Sequence, residues 1–345
     1  VPSVTLYPAD APPQRLSDWG LIHSDGAALQ LSDAAVPYSI NTPLFTDYAL
    51  KLRTVWIPEG ASAVYRGDGP MDFPVGTILT KTFHYERGAG HRVVKAEGES
   101  MVDANGRLGL DDLVLIETRL LIRYETGWRA LPYVWNADQT EARLEIAGDI
   151  REIEFDDGSD PFVYVVPDAN QCAGCHVTDH TAKAMEPIGP SAWQLNRPYG
   201  GAGNQLADWE ARGILSGVDT VLPAGVVWDD EEGASLDDRA RAYLDANCAH
   251  CHNARGAADT SALDLALESP VDRNYGICKP PVAVGRGSGD RPYDIYPGRP
   301  DDSIMLYRMQ HTDPAIAMPE LGRSTVHAEG VELLSAWVRS LDGDC

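Results

Sequence analysis

The chain has 345 residues, of which 43% are hydrophobic, and its formal net charge is −24. This charge argues against nucleic-acid binding, which requires a basic face, and no stretch approaches the roughly 18 consecutive apolar residues that a membrane helix needs. Length and composition therefore predict a globular protein of two or three domains, with an acidic surface that would attract a basic partner.

Residues 1–165 are predicted to be rich in β-strands. Segment 43–60 carries aromatic and β-branched residues and ends in a Pro-Glu-Gly turn, while segment 111–136 contains two apolar runs separated by Glu-Thr-Gly-Trp. Residues 142–155 alternate apolar and charged side chains, which is typical of half-buried antiparallel strands. A turn at 156–161 and a last strand at 162–166 complete this part, in which no catalytic motif stands out.

After residue 166 the pattern favours helices and glycine-rich loops. Apolar residues recur at helical spacing around Trp209, from Ser235 towards residue 251, and around Trp337. Ser235 is a predicted N-cap because Asp238 follows three residues later, close to a capping box. The predicted fold is therefore α+β: a β-rich domain at 1–165, then mainly α-helical segments at 166–234 and 235–345.

Two C-x-x-C-H pentapeptides give the strongest functional signal. They comprise Cys172, Cys175 and His176 in the first, and Cys248, Cys251 and His252 in the second. Two intervening residues on a helical turn let both sulfurs face the edge of a porphyrin, and the next residue can then ligate the iron. This spacing is typical of c-type haem attachment. It predicts two covalent haem c groups, with the four cysteines as thioether sites and His176 and His252 as proximal ligands.

The pentapeptides have three other possible interpretations. Four thiolates could hold zinc, but zinc does not require a histidine directly after each second cysteine. A thioredoxin-like disulfide would need a βαβ context, which is missing from the pattern. A chance match is plausible once and much less plausible twice.

Residues 235–345 resemble a class I cytochrome c domain. The resemblance depends on the helix that leads into the second pentapeptide, on the loop with Met318 before Pro319, and on the closing helix with Trp337. It implies that Met318, 66 residues after His252 (318 − 252), is the distal iron ligand of the second haem, and that the first and last helices cross. The whole chain is more loosely similar to bacterial dihaem proteins with an N-terminal β region, which implies no activity.

The distal ligand of the first haem stays open. His180 is one helical turn from His176 and on the same side, so it cannot easily reach the opposite face of the iron. The candidates are Met185, His84, His91, Met101, a tyrosine, or no ligand, and we expect a ligand from the β-rich part.

Two cysteines remain outside the pentapeptides, Cys278 and Cys345, and we predict a disulfide between them. Such a pair is typical of an oxidising compartment. The chain starts without a charged or apolar leader, which we interpret as a mature periplasmic form whose secretory signal has been removed.

Two principal functions follow from the predicted haems. The first is a periplasmic dihaem electron carrier whose protein partner presents a basic docking patch, with the acidic segment 228–238 as part of the docking ring. The second is a dihaem redox enzyme that is similar in logic to dihaem peroxidases and the MauG-like group, with the first haem as an open catalytic centre. A haem-bearing sensor or assembly subunit is a third possibility.

Overall fold

The computed structural model describes residues 3–201, 203–282 and 284–345. The chain divides into two compact units, each built from several chain segments. Unit 1 comprises Val1–Ile40, Tyr48–Cys172 and Gly189–Gly225, and unit 2 comprises Asn41–Asp47, Ala173–Ile188 and Val226–Cys345.

All thirteen strands of the described residues lie in unit 1. They are β1 (Ile22–Ser24), β2 (Ala28–Leu31), β3 (Val36–Tyr38), β4 (Leu50–Trp56), β5 (Ala63–Val64), β6 (Ile78–Glu86), β7 (Arg107–Gly109), β8 (Leu113–Tyr124), β9 (Gly127–Trp135), β10 (Ala142–Leu144), β11 (Asp149–Ile153), β12 (Phe162–Val166) and β13 (Leu215–Ser216). The central sheet is antiparallel with the order β10-β9-β8-β6-β4-β3, beside a three-stranded sheet β1-β2-β7 and the pairs β11-β12 and β13-β5. The strands predicted in segments 43–60, 111–136 and 162–166 are confirmed.

The central sheet has one apolar face and one charged face, because successive side chains of a strand point to opposite sides. Its apolar face contributes to the core of unit 1, with Leu52, Leu120 and Tyr133 all under 2% exposed. The opposite face carries a row of basic residues that is described below.

Six helices are described, and most are short. They are α1 (Ala169–His176), α2 (Ala192–Leu195), α3 (Gln205–Ala211), α4 (Leu236–Leu244), α5 (Ile304–Met309) and α6 (Ala328–Ser340). The predicted cap of α4 is confirmed, since Asp238 N donates to Ser235 Oγ at 3.1 Å. No helix within the described residues has the length and apolar character to cross a membrane.

The prediction of mainly α-helical segments after residue 165 is wrong. The structure is 24% strand and 19% helix, and the described residues of segment 166–234 hold only the helices α1, α2 and α3, of 8, 4 and 7 residues. Between α4 and α5 the backbone forms one π-helical turn, short 3₁₀ turns and irregular loops. Glycine and proline explain the difference, because both disfavour helix propagation and both are frequent in this stretch.

The core of unit 2 forms where α4 packs on α6. Leu244, Leu334 and Val338 are fully buried there, and Trp337 Nε1 donates to Asp237 Oδ1 at 2.8 Å. The predicted disulfide is confirmed, since Cys278 and Cys345 are joined across 67 residues of sequence. It ties the end of the chain to the long loop between α4 and α5.

Candidate functional site

The second pentapeptide begins in the π-helical turn Asp245–Ala249, which continues α4 and carries Cys248. The amides of Cys251 and His252 both donate to Cys248 O, at 3.1 and 2.9 Å. The motif is therefore wound as a compact turn at the end of the helix, close to the predicted position on its last turns.

His252 is buried, and its side chain has a defined tautomer. Its Nδ1 lies 3.1 Å from Ser261 Oγ. The Ser261 hydroxyl donates to Ala258 O at 2.6 Å, so Oγ accepts the Nδ1 proton. Burial first, then Arg308 and Lys279, lower the pKa of His252 to about 4. The ring is therefore neutral at pH 7, and Nε2, which bonds to no described residue, keeps the lone pair that a metal needs.

Two arginines hold the backbone of the Met318 loop. Arg308 Nε donates to Ile316 O at 2.9 Å, and Arg323 Nη2 donates to Met318 O at 2.8 Å. Met318 itself is half-buried. Because a carbonyl two residues before Met318 and its own carbonyl are both fixed, the loop has a defined path.

The same loop lies within electrostatic reach of the second pentapeptide. Burial raises the pKa of the Cys251 thiol to about 12, with smaller contributions from Cys175 and Glu320. Burial likewise raises the pKa of Cys248 to about 12, opposed by Arg323. Met318 therefore belongs to a loop whose charged residues Glu320 and Arg323 act on the two cysteines of the second pentapeptide.

The first pentapeptide ends helix α1 and is less enclosed. Cys172 is buried, whereas Cys175 and His176 are partly exposed. His176 Nδ1 lies 2.7 Å from Glu186 O, and a carbonyl can only accept, so Nδ1 carries the proton. As in the second motif, a neighbouring acceptor fixes the tautomer, in which Nε2 carries the lone pair.

The contact of His176 with Glu186 bears on Met185, one of the candidate distal ligands of a first haem. Met185 directly precedes Glu186, whose carbonyl lies on the Nδ1 side of His176. The Nδ1 side of a ligating imidazole points away from the metal, so the backbone directly after Met185 lies on that side of His176. His180 is exposed, and its amide donates to Arg255 O at 2.7 Å.

The candidates in unit 1 differ in their surroundings. His84 is fully buried in β6, and its Nε2 lies 2.7 Å from Ser100 Oγ. Burial is the main cause that lowers the pKa of His84 to about 4, which is typical of a neutral core histidine. His91 lies exposed in a loop, and Met101 is 49% exposed.

Within unit 2, the end of the first motif packs against the second. Cys251 Sγ lies 3.8 Å from Gly174 O, and Arg255 forms an ion pair with Asp179 at 3.1 Å. A side chain at Gly174 would reach 3.0 Å from Leu321 Cδ1, at the end of the Met318 loop. The small residue inside the first pentapeptide therefore permits this close approach.

The structure also bears on the alternatives to haem. No three of the cysteines and histidines of the two motifs bring ligand atoms within 4.8 Å of one another in the described part of the chain, so the four thiols do not form a tetrahedral zinc site. Within the described part of the chain, the four motif cysteines form no disulfide.

One buried polar atom near the second motif favours a bound group there. Tyr275 is fully buried and its hydroxyl has no hydrogen-bond partner among the described residues. Burial raises its pKa, and Cys248 is among the smaller causes. Unpaired buried hydroxyls are uncommon. Together with the neutral, oriented His252 and two adjacent thiols, this donor set fits a covalently held haem.

Sequence reasoning missed the groups that orient the two histidines. Ser261 lies in a short polar turn, and the Glu186 contact uses a backbone carbonyl, so neither carries a motif. The only available signal was the general expectation that a ligating histidine has an acceptor on its other nitrogen.

Comparison of the chain with family models, with curated proteins and with solved structures finds no match.

Proposed function

We propose that the protein is a dihaem c-type cytochrome that transfers electrons between redox partners. The observation that carries the proposal is the pair of C-x-x-C-H motifs, each with its histidine Nδ1 held by an acceptor, at 3.1 Å from Ser261 Oγ and 2.7 Å from Glu186 O. Haem c supplies one-electron redox chemistry when bound, and the protein tunes it through ligands, burial and hydrogen bonds.

In this proposal the residues of the two motifs have matching roles. Cys172, Cys175, Cys248 and Cys251 would carry the thioether bonds, and His176 and His252 would ligate the two irons. Ser261 and the Glu186 carbonyl hold the imidazole rings in orientation and raise their basicity as ligands. The contact between Cys251 and Gly174, at 3.8 Å, supports a short path for electrons between the two sites.

We further propose that residues 235–345 form a class I cytochrome c-like domain with Met318 as distal ligand. Three observations support it: the packing of α4 on α6, the position of the second motif directly after α4, and the fixed loop that carries Met318. Arg308 and Arg323 would keep that loop closed over the site and exclude water from it.

A dihaem redox enzyme is the alternative, and one observation favours it. The Glu186 carbonyl, directly after Met185, lies on the Nδ1 side of His176, which disfavours the Met185 thioether as distal ligand of a first haem. An iron with an open position can bind peroxide or a related substrate, whereas a six-coordinate iron transfers electrons only.

We propose a periplasmic location and a basic electron-transfer partner. The disulfide between Cys278 and Cys345 supports an oxidising compartment. Asp229, Asp230, Glu231 and Glu232 are exposed just before α4. Their replacement by lysine is expected to slow electron exchange with a basic cytochrome at low salt and to speed exchange with an acidic one. Unchanged rates with both cytochromes would contradict docking at this segment.

The deciding experiment is the mass of the denatured protein purified from cells that mature c-type cytochromes. An increment of two haems over the polypeptide is expected, and bound zinc without haem would overturn the proposal. The absorption spectrum of the oxidised protein then separates the two functions. Two low-spin haems favour the carrier, and a high-spin feature that shifts with cyanide favours the enzyme.

A further inference from the structure

The charged face of the central sheet contains a row of three basic residues. Arg53 on β4 lies directly opposite Lys81 on β6, and Lys81 lies directly opposite Arg119 on β8. Like charges directly opposite one another across strands are destabilising. Three such residues in one row, on a largely buried face, therefore require compensating negative charge.

Two members of the row have carboxylate partners. Arg53 forms an ion pair with Glu99. The Arg119 guanidinium donates two hydrogen bonds to the Glu117 carboxylate, from Nε to Oε2 at 2.8 Å and from Nη2 to Oε1 at 2.5 Å. Glu117 also accepts a hydrogen bond from Tyr164 at 2.7 Å, so both of its oxygens are engaged.

Lys81, at the centre of the row, has no ion pair or hydrogen bond with any described residue. Its Nζ lies 5.1 Å from the centroid of the buried Phe83 ring, and Arg119 Cζ lies 4.3 Å from the same centroid. Burial first, then Arg53, Arg119 and Lys51, lower the pKa of Lys81 well below its ordinary value, and Glu117 opposes them only in part. A half-buried ammonium group that is surrounded by other cations favours the binding of an anion beside it.

The Arg119 end of the row lies within electrostatic reach of Cys172, which is also in unit 1. Burial lowers the pKa of Arg119, but the fields of Glu117, Tyr164 and Cys172 together raise it above its ordinary value. Two inter-strand spacings, ~9.6 Å in all, separate the Arg53 end from the Arg119 end. Buried aromatic rings, including Tyr85 and Tyr164, whose centroids are 6.4 Å apart, line the same part of unit 1.

We propose that the row Arg53, Lys81 and Arg119 is a carboxylate-binding site, and that it takes the propionates of the haem attached at Cys172. The inference rests on the proposed function for the source of the carboxylate, although the anion site itself rests on the row alone. A free small carboxylate is the other source of the same chemistry. Lys81 would act as the central cation, and Arg53 and Arg119 as flanking cations already held by Glu99 and Glu117.

The first arm of the test measures reduction potentials of the haem-loaded protein. Lys81→Met is expected to shift the reduction equilibrium of one haem roughly tenfold towards the oxidised form, because a nearby cation stabilises the added electron. This shift lowers the potential by ~59 mV for one electron. Lys81→Arg keeps the charge and should keep the potential. Lys95→Met is the matched control, since Lys95 also lies over an aromatic ring of unit 1, at 4.3 Å from the Tyr48 centroid. A Lys81→Met potential equal to that of the control would overturn the proposal.

The second arm measures malonate binding by calorimetry and identifies the source of the carboxylate. The haem-loaded protein is expected not to bind malonate, and the Cys172→Ala/Cys175→Ala variant is expected to bind it until Lys81→Met is added. Malonate binding by the haem-loaded protein that depends on Lys81 would assign the site to a free ligand and overturn the propionate assignment. Absence of binding in both proteins would overturn the anion site.

The mass of the denatured wild type distinguishes failure of the carboxylate-binding site from failure of the proposed cytochrome function. A protein without haem would end the cytochrome proposal, and malonate binding to that same protein would still test the anion site. Thermal unfolding of Lys81→Met checks that the variant is folded, and loss of an unpaired cation is expected to leave it at least as stable as the wild type.

Discussion

The two C-x-x-C-H motifs share a pattern of residues but differ in how the fold encloses them. The second follows α4 in the core of unit 2, and its histidine is only 8% exposed. The first ends the short helix α1, and its histidine is partly exposed and held by a backbone carbonyl. In the proposed cytochrome, the shared motif would specify haem attachment, whereas the unequal burial of the two histidines would specify the reactivity and the potential of each haem.

Removal of each cysteine pair is the strongest test of this difference. We expect Cys248→Ala/Cys251→Ala and Cys172→Ala/Cys175→Ala each to lose one haem from the denatured mass. The former should lower Tm by ~10 °C, about 3 kcal/mol, because a bound group contributes to the core of unit 2, and the latter by a few degrees. Calorimetric melting curves measure both, and equal shifts would contradict the unequal burial.

The disulfide should stabilise the surroundings of the second motif only. Cys345→Ser opens a loop with a sequence separation of 67 residues, which costs ~4 kcal/mol in the chain-entropy model. Denaturant unfolding measures the loss, and Cys278→Ser/Cys345→Ser should match the single variant. A change in the spectrum of the first haem but not of the second would contradict this assignment.

Met318→Ala tests whether the second site is the one with a thioether ligand. We expect the potential of the second haem to fall by ~0.1 V and the absorption band that marks Fe(III)–Met bonding to disappear, because a thioether ligand raises the potential. Met309→Ala is the matched control, since Met309 is a buried residue of α5. Equal potentials in the two variants would argue for another ligand.

Asp245 gives the second site a pH dependence of stability. Its Oδ2 accepts Leu267 N at 2.9 Å, and burial raises its pKa from 3.8 to about 6. The folded state therefore keeps the proton up to about pH 6 and the unfolded chain releases it near pH 4, so this group costs stability as pH rises between these values. Asp245→Asn should add about 1–2 kcal/mol at pH 7 and nothing at pH 4, as measured by urea unfolding. A gain that is the same at both pH values would contradict this account.

Ser261→Ala should produce the smallest effect. Loss of the acceptor for His252 Nδ1 lowers the basicity of the ligand. The potential of the second haem is therefore expected to rise, by a shift of roughly threefold or less in its reduction equilibrium. Ser261→Thr keeps the hydroxyl and serves as the control. At the first motif Glu186→Ala should change nothing, because the acceptor there is a carbonyl of the backbone.

Features that depend on neighbouring residues in the sequence were predicted well, and features that depend on contacts between distant residues were predicted poorly. The strands β8 and β9, the Ser235 cap and the Cys278–Cys345 pairing follow from apolar runs, capping residues and a count of cysteines. Helix content was overestimated because apolar spacing around Trp209 predicts a helix but not its length of 7 residues. The basic row could not be predicted, since Arg53, Lys81 and Arg119 become neighbours only through strand register.

Asn41–Asp47 is a short segment far from the rest of unit 2 in sequence, and this has a consequence for the order of assembly. The Asp47 Oδ1 atom accepts the amides of Ser324 and Thr325, both at 2.7 Å, across sequence separations of 277 and 278 residues. The chain is synthesised from its N-terminus. This segment, and later the first pentapeptide, therefore cannot form their contacts within unit 2 until the last third of the chain has been synthesised. Such non-local closure is slow, and residues 235–345 produced alone would lack the Asn41–Asp47 segment of unit 2.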